Sequence, residues 1–436
     1  MALWRSTVIV SAMTMLSRVL GLVRDIVLLN VFGAGKDFDT FVVAFRIPNF
    51  FRRLFAEGAF SQAFIPVLTE YKTGRTHAEV QILISRVFGC LMTVMTALTF
   101  IAMVAAPAVL YIYAPGFHAD PEKFDLAVSM FRLTIPYLLF MSLTAFASSI
   151  LNSYGSFASP AFSPVLLNVA MIAGAWWLTP YMAEPIMALG WAVIAAGVLQ
   201  LAIQIPELWH KKLLIPPKVD FKHEGVDRIM KLMLPALFGV SVTQINLLLN
   251  TIWASFMQDG SVSWLYSAER MTELPLGLIG VAIGTVILPA LSTRHAEQDM
   301  SKFRGMMDWA AKVIVLVGVP ASIALFMLST PIIQALFQRG QFTIEDTQMT
   351  ALALQCMSAG VISFMLIKVF APGFYAQQDT KTPVRVGLMA VAANAILNVV
   401  FIGFFKLIDW QAEHMALALA SSGSALVNAG MLYFYL

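Results

Sequence analysis

Apolar runs of about 20 residues recur from one end of this chain to the other, and each is long enough to cross a ~30 Å hydrocarbon core. Nothing constrains the possible folds more. Only 12% of the 436 residues are charged and 59% are hydrophobic, whereas a soluble domain has about 25% charged residues. The chain cannot cover its surface with polar groups, so it reads as an all-α polytopic membrane protein. Helices are predicted over 6–32, 38–70, 80–112, 126–152, 161–180, 186–206, 226–257, 262–292, 306–329, 346–375, 384–405 and 414–436. The last run stops at "MLYFYL" without a polar cap, and the expectation is a C-terminally truncated chain. The first 30 residues do not read as a cleavable signal peptide, because polar groups interrupt a long apolar stretch with no small-residue cleavage site.

Orientation is read from Lys and Arg in the short loops, whose bias sets topology. With the N-terminus in the cytoplasm, the inside loops hold Arg5, Lys72, Arg75, Lys211, Lys212, Lys218, Lys222, Arg228, Arg294, Lys302, Arg304, Lys381 and Arg385. The outside loops hold only Lys36, Lys123, Arg339 and Lys406. A net charge of +3 carried in such loops is no nucleic-acid signature. The basic connection "ELWHKKLLIPPKVDFKHEGVDR" divides the chain, giving an N-terminal lobe over 1–207, a cytoplasmic linker over 208–225 and a C-terminal lobe over 226–436. A shift of 223 residues sets Pro66 on Pro289 and Pro160 on Pro383, and a shift of 224 sets Gly116 on Gly340. Six helices per half implies a parallel repeat, with a pseudo-two-fold axis along the membrane normal.

An ionisable group at the bilayer centre costs at least ~2.5–3.5 kcal/mol, so such groups face protein or water and mark function. They concentrate in three predicted helices. The first has Arg18, Arg24 and Asp25; the second has Asp39, Arg46, Arg52, Arg53 and Glu57; the eighth has Glu269, Arg270 and Glu273. Lys368 stands alone in the tenth. At 100° per residue Arg18 and Asp25 share a face, and Pro48 leaves the phase of Arg52 and Arg53 open. Gly277, Gly280 and Gly284 have the small-residue spacing that lets helices approach closely. The pattern suggests a wet cavity lined by arginines between the halves. Guanidinium is planar, always charged and bidentate toward phosphate, so a large amphiphile with a diphosphate fits best. Arg53 and Glu57, one turn apart, read as a structural or gating ion pair rather than as a ligand site. Arg86 and Arg132 read as snorkelling, and Asn246 and Asn250 as bonding to neighbouring helices. The arginines could also serve only to neutralise the nearby carboxylates.

Enzyme chemistry finds little support. The six histidines (His77, His118, His210, His223, His295 and His414) lie in or beside loops without metal-ligand spacing, so neither a catalytic residue nor a metal is assigned. No P-loop is present, and no cofactor is expected. Cys90 and Cys356 read as small core residues. A membrane enzyme on a lipid-linked sugar would need loop carboxylates, and "HADPEKFD" at 118–125 is the single outside candidate. A scaffold would not need buried arginines.

Four stretches carry a resemblance: "MTMLSRVLGLVRDIVL", "FGAGKDFDTFVVAFRIPNFFRRLFAEGAFSQAFIPVLTEY", "GSVSWLYSAERMTELPLGLIGVAIGTVILPALS" and "KVFAPGFYAQQDTKTPV". They resemble the MurJ (MviN) family of bacterial lipid II flippases, within the multidrug/oligosaccharidyl-lipid/polysaccharide exporter superfamily. The resemblance implies a V-shaped central cavity and alternating access that carries lipid II, the undecaprenyl-diphosphate-linked peptidoglycan precursor, to the outer leaflet of the bacterial inner membrane. It implies substrate binding by Arg18, Arg24, Arg52 and Arg270. Asp25, Asp39 and Glu273 would order those arginines, Arg53 and Glu57 would serve closure, and Glu269 stands where many relatives have Asp. Partners are then lipid II and membrane lipids, with contact to the cell-wall synthesis machinery left open. The family has about fourteen helices, the last two helping to form a groove for the lipid tail. The alternative is an exporter of drugs or of another lipid-linked oligosaccharide in the same superfamily.

Overall fold

The computed structural model describes residues 2–54 and 60–436, excluding the side chains of 2–8, 53–54, 234–244, 278, 281 and 285. The first half holds α1 (Ala2–Phe32), α2 (Lys36–Leu54), α3 (Phe60–Gly74), α4 (His77–Val104), α5 (Ala106–Tyr113), α6 (Pro121–Thr134), α7 (Tyr137–Ser153), α8 (Ala158–Ala173), α9 (Met187–Ala202) and α10 (Ile205–His210). The second holds α11 (Glu224–Ala254), α12 (Ser261–Pro275), α13 (Val281–Ala296), α14 (Met300–Met327), α15 (Ser329–Phe337), α16 (Ile344–Ser358), α17 (Val361–Ala376), α18 (Lys381–Leu407) and α19 (His414–Tyr435). Several predicted helices are interrupted. Pro136 lies at the join of α6 and α7, and α5 starts anew with Pro in its first turn. Proline lacks the N–H that would continue the ladder.

Among the described residues seven helical segments are long and apolar enough to cross a membrane, and α16 with α17, bent by 44°, makes an eighth. The expected spans that hold the ionisable groups, α1, α2 and α12, are helical as well. α4 shows the local logic. Thr76 and Glu79 form a capping box at its start, and its 28 residues rise about 42 Å. Its exposed side chains include Ile82, Leu98, Phe100, Ile101 and Val104, an apolar face suited to lipid.

A register of 223 residues runs through helix bounds, caps and core. Shifted by that amount, His77–Val104 falls on Met300–Met327, and Pro121 and Lys381 mark equivalent helix starts to Ile344 and Ala158. The N-caps correspond too: Thr76 with Asp299, and Asp120 with Thr343. So do the buried positions. Phe64, Leu68, Val80 and Phe146 in one core shift onto Ile287, Leu291, Phe303 and Val369 in the other.

The chain divides into two compact units, residues 1–32 with 36–241 and residues 33–35 with 242–436. In the first, α1 packs on α8, α2 on α6, and α3 and α4 on α7. In the second, α18 packs on α19, α12 on α16, and α13 and α14 on α17. The boundary falls inside α11, and segment 208–225 lies wholly in the first unit. That segment is laid along α4: Lys218 N–H donates to Ser85 O at 3.1 Å and Ser85 Oγ to Pro216 O at 2.7 Å. Gly89 permits this approach, since a Cβ there would stand 2.4 Å from the Lys218 backbone. In the second unit a Cβ on Gly284 would stand 2.4 Å from Lys368 O, so the predicted small-residue contact joins α13 to α17.

Candidate functional site

The first unit holds most of the ionisable groups, starting on α1. The first half of this helix is largely exposed and its second half is buried. Arg18 is exposed and makes no hydrogen bond or ion pair among the described residues. Arg24 is 8% exposed and Asp25 2%. Arg24 Nη2 lies 2.6 Å from Asp25 Oδ1, its Nε donates to the same oxygen at 2.9 Å, and Nη1 donates to Asn168 Oδ1 on α8 at 3.0 Å. Asn168 Nδ2 in turn donates to Ser17 O at 3.0 Å, so one amide ties both turns of α1 to α8. Arg18 and Asp25 share a helical phase, yet only Asp25 is buried.

On α2, with Pro48 inside the helix, Asp39 is 1% exposed and Arg46 9%. They stand seven residues apart, close to one face at 100° per residue. Asp39 Oδ2 is 3.5 Å from Lys123 Nζ on α6, and that ammonium lies 4.2 Å from the centre of the Phe117 ring. Lys123, read from the sequence as an outside-loop anchor, is therefore a buried ion-pair partner. The reason is local: Asp120 caps α6 and starts the helix before the apolar run begins, which places Lys123 in its first turn. Asp120 also pairs with Lys36 at 2.7 Å, so the acidic 118–125 loop serves folding contacts. Arg52 is half-buried and its Nε donates to Asn49 Oδ1 at 2.9 Å.

In the second unit Arg270 is half-buried on α12. Its Nη1 lies 2.8 Å from Glu273 Oε2, one turn on, and its guanidinium is 4.9 Å from the Tyr266 ring, one turn back. Helical spacing thus holds the fork between an anion and a ring. Glu269 is half-buried, and Glu273 and Lys368 are exposed. Trp264 Nε1 donates to Asp346 Oδ1 on α16 at 2.9 Å, and His414, read as standing beside a loop at a helix start, is 1% exposed against the Trp264 ring. Asn250 bonds to Ser421 and Asn398, joining α11 to α18 and α19.

The structure thus brings together Arg24 with Asp25, Asp39 with Lys123, and Arg270 with Glu273. Glu57 and the side chains of Arg5 and Arg53 lie outside the described residues. Reasoning from sequence missed Lys123 and Asn168; the available signal was the helix-start motif at Asp120 and a lone Asn in an apolar helix. On α1, α2 and α6 taken together the cations Arg18, Arg24, Lys36, Arg46, Arg52, Lys123 and Arg132 outnumber the carboxylates Asp25, Asp37, Asp39, Glu122 and Asp125 among the described side chains. No group of three or more His, Cys, Asp or Glu that could hold a metal occurs among the described residues. The arrangement suits recognition of an anion.

Comparison with known proteins agrees with this chemistry. A family model described as lipid II flippase MurJ matches residues 28–436. A probable lipid II flippase MurJ of Vibrio cholerae is 46% identical over 99% of this chain and 82% of its own length. The lipid II flippase MurJ of Burkholderia cenocepacia is 41% identical over 99% of this chain and 83% of its own. A solved lipid II flippase MurJ in an inward closed conformation superposes with a TM-score of 0.84 at 28% identity, covering 98% of this chain and 87% of that one. An inward-facing multidrug resistance transporter of the MOP superfamily has a TM-score of 0.74 at 12% identity, covering 98% of this chain and 97% of that one, which shows a shared fold alone. By sequence over its whole length and by fold, the chain belongs to the MurJ family of lipid II flippases.

Proposed function

We propose that this chain moves lipid II from the cytoplasmic to the outer leaflet with the lipid's diphosphate held by Arg18, Arg24, Arg52 and Arg270. The observation that carries the site is the excess of cations on α1, α2 and α6, with Arg18 exposed and Arg52 half-buried. Guanidinium binds phosphate bidentately, and several forks together match a diphosphate better than a single phosphate. Asp25 and Glu273 order Arg24 and Arg270 through the ion pairs they make. Asp39, Glu269, Arg53 and Glu57 support the site or act in closure.

The site opens in turn to each side of the membrane by alternating access, and only the headgroup needs a polar path, since the polyprenyl tail stays in lipid. The functional halves are residues 1–207 and 226–436, joined by 208–225. The N-terminus is cytoplasmic, and the membrane is the bacterial inner membrane, where the cell-wall synthesis machinery uses the product. The drug-exporter alternative draws on solved transporters that share the fold at 11–13% identity.

The test is reconstitution in vesicles with labelled lipid II and a leaflet-specific reagent. Each of Arg18→Ala, Arg24→Ala, Arg52→Ala and Arg270→Ala should insert in the membrane yet lose transport by at least ~tenfold, as a charge-assisted bond is worth ~1.5–3 kcal/mol. Parental transport by all four variants would remove the diphosphate role.

A further inference from the structure

Each helix assigned a diphosphate-binding cation beyond α1 makes a buried polar contact near its N-terminal end, and the repeat relates one member of each contact. In the first unit Lys123 on α6 reaches Asp39 on α2 at 3.5 Å, and α2 carries Arg52. The 223-residue register takes Lys123 to Asp346 on α16, which accepts from Trp264 Nε1 at 2.9 Å, and Trp264 lies on α12, which carries Arg270. Both contacts start from the third residue after an N-cap, Asp120 in one unit and Thr343 in the other. Chemistry differs between the units, an ion pair in one and a neutral donor to a carboxylate in the other, while the position is kept.

We propose that Lys123 and Asp346 are positioning residues for lipid II binding, each anchoring the N-terminal part of the helix whose arginine meets the diphosphate. This rests on the flippase function proposed above. Asp39 lies in a stretch of α2, residues 38–48, that is buried throughout, and Arg52 follows Pro48, half-buried, on the same helix. Without Lys123 the buried Asp39 carboxylate has lost a cation, and α2 relieves it by shifting Asp39 toward water or toward Arg46; either motion displaces Arg52. On α12, loss of the Trp264 donor frees a similar shift, and Arg270 lies six residues on, between Tyr266 and Glu273. A substrate contact by Lys123 is not required, because its ammonium is buried against Phe117.

The experiment measures lipid II transport against lipid II concentration in proteoliposomes for the full chain and for Lys123→Met, Lys123→Arg and Trp264→Phe. Thermal unfolding is measured in parallel. The expected result is a half-saturating concentration raised about tenfold in Lys123→Met and Trp264→Phe, the scale of one lost charge-assisted contact. Lys123→Arg should stay near the parent. Parental half-saturation in both Lys123→Met and Trp264→Phe overturns the proposal, and so does a lower unfolding temperature with half-saturation unchanged. If Lys123→Met fails to fold, Trp264→Phe decides: raised half-saturation supports the proposal, and parental half-saturation overturns it. A parent that moves no lipid II would remove the flippase function itself, whereas an active parent with equally active variants removes only the positioning role.

Discussion

Arg18 and Arg24 are six residues apart on one helix, but their surroundings should separate the effects of losing them. Arg24 is packed between Asp25 and Asn168, so Asp25→Asn takes a carboxylate away from a buried guanidinium. Breaking a buried pair costs about 3–5 kcal/mol, and the thermal unfolding midpoint of the purified variant should fall clearly. Arg18 has no partner among the described residues and is exposed. Arg18→Gln should change stability by no more than ~0.5 kcal/mol, while transport of labelled lipid II falls at least ~tenfold. Equal losses of stability in the two variants would mean that Arg18 is a structural residue. At this scale the sequence made the cations of α1, α2 and α12 visible, because a charge inside an apolar run stands out. Partners were less visible. Lys123 sits beyond the hydropathy boundary of its span, so counting loop charges assigned it to topology, and only the α2–α6 packing shows the carboxylate it meets. His414 stands at the start of the helix predicted over 414–436, where α19 does begin, but its position beside a loop gave no sign that the ring is buried on Trp264.

Elements add two further tests. The connection after α10 has the composition of a mobile linker, with Pro216, Pro217 and several lysines, and nothing in it signals a docking groove. Its groove is made by Gly89, a residue 129 positions before Lys218. Gly89→Ala should lift the segment from α4 and break the Lys218–Ser85 and Ser85–Pro216 hydrogen bonds. At about 1 kcal/mol each, their loss should speed tryptic cleavage at Lys218 and Lys222 by roughly 30-fold, read by limited proteolysis and mass spectrometry. Unchanged cleavage would show that the segment is held by other contacts. The start of α6 supplies the second test. A hydrogen bond from Lys36 holds the Asp120 carboxyl below the usual range, helped by the Lys123 backbone N–H that it caps. A depressed carboxylate stabilises the fold above the ordinary value of ~3.9 and loses that contribution as pH falls through its lower folded value. Amide exchange in the first turn of α6 should therefore quicken over that acid window in the parent, whereas Asp120→Asn should show no such step.

For the molecule as a whole, the spans and the repeat were legible because both rest on apolar periodicity and on Pro and Gly at fixed intervals, which one sequence carries openly. The division between Ser241 and Val242 was not, since α11 is continuous there and no change in composition marks it. Charge is the property that the whole chain brings to its task. Among the described residues, cations outnumber carboxylates on α1, α2 and α6, and on α12 the single Arg270 faces Glu269 and Glu273. A carrier that turns its binding site from one side of the membrane to the other moves that net charge through part of the electric field. One charge crossing the full field at 100 mV is worth ~2.3 kcal/mol, an upper limit of roughly 50-fold in rate. With lipid II bound, the diphosphate offsets the excess, so the field acts chiefly on the empty carrier. An inside-negative potential draws the empty cationic site back toward the cytoplasm and should accelerate turnover. Proteoliposomes holding a potassium diffusion potential of either sign provide the measurement, with inside taken as the cytoplasmic face. Turnover should rise with inside-negative potential, fall when the sign is reversed, and respond less in Arg18→Gln that retains residual transport. A rate indifferent to potential in the parent would mean that the cations stay fixed relative to the field, which is incompatible with a site that alternates between the two sides.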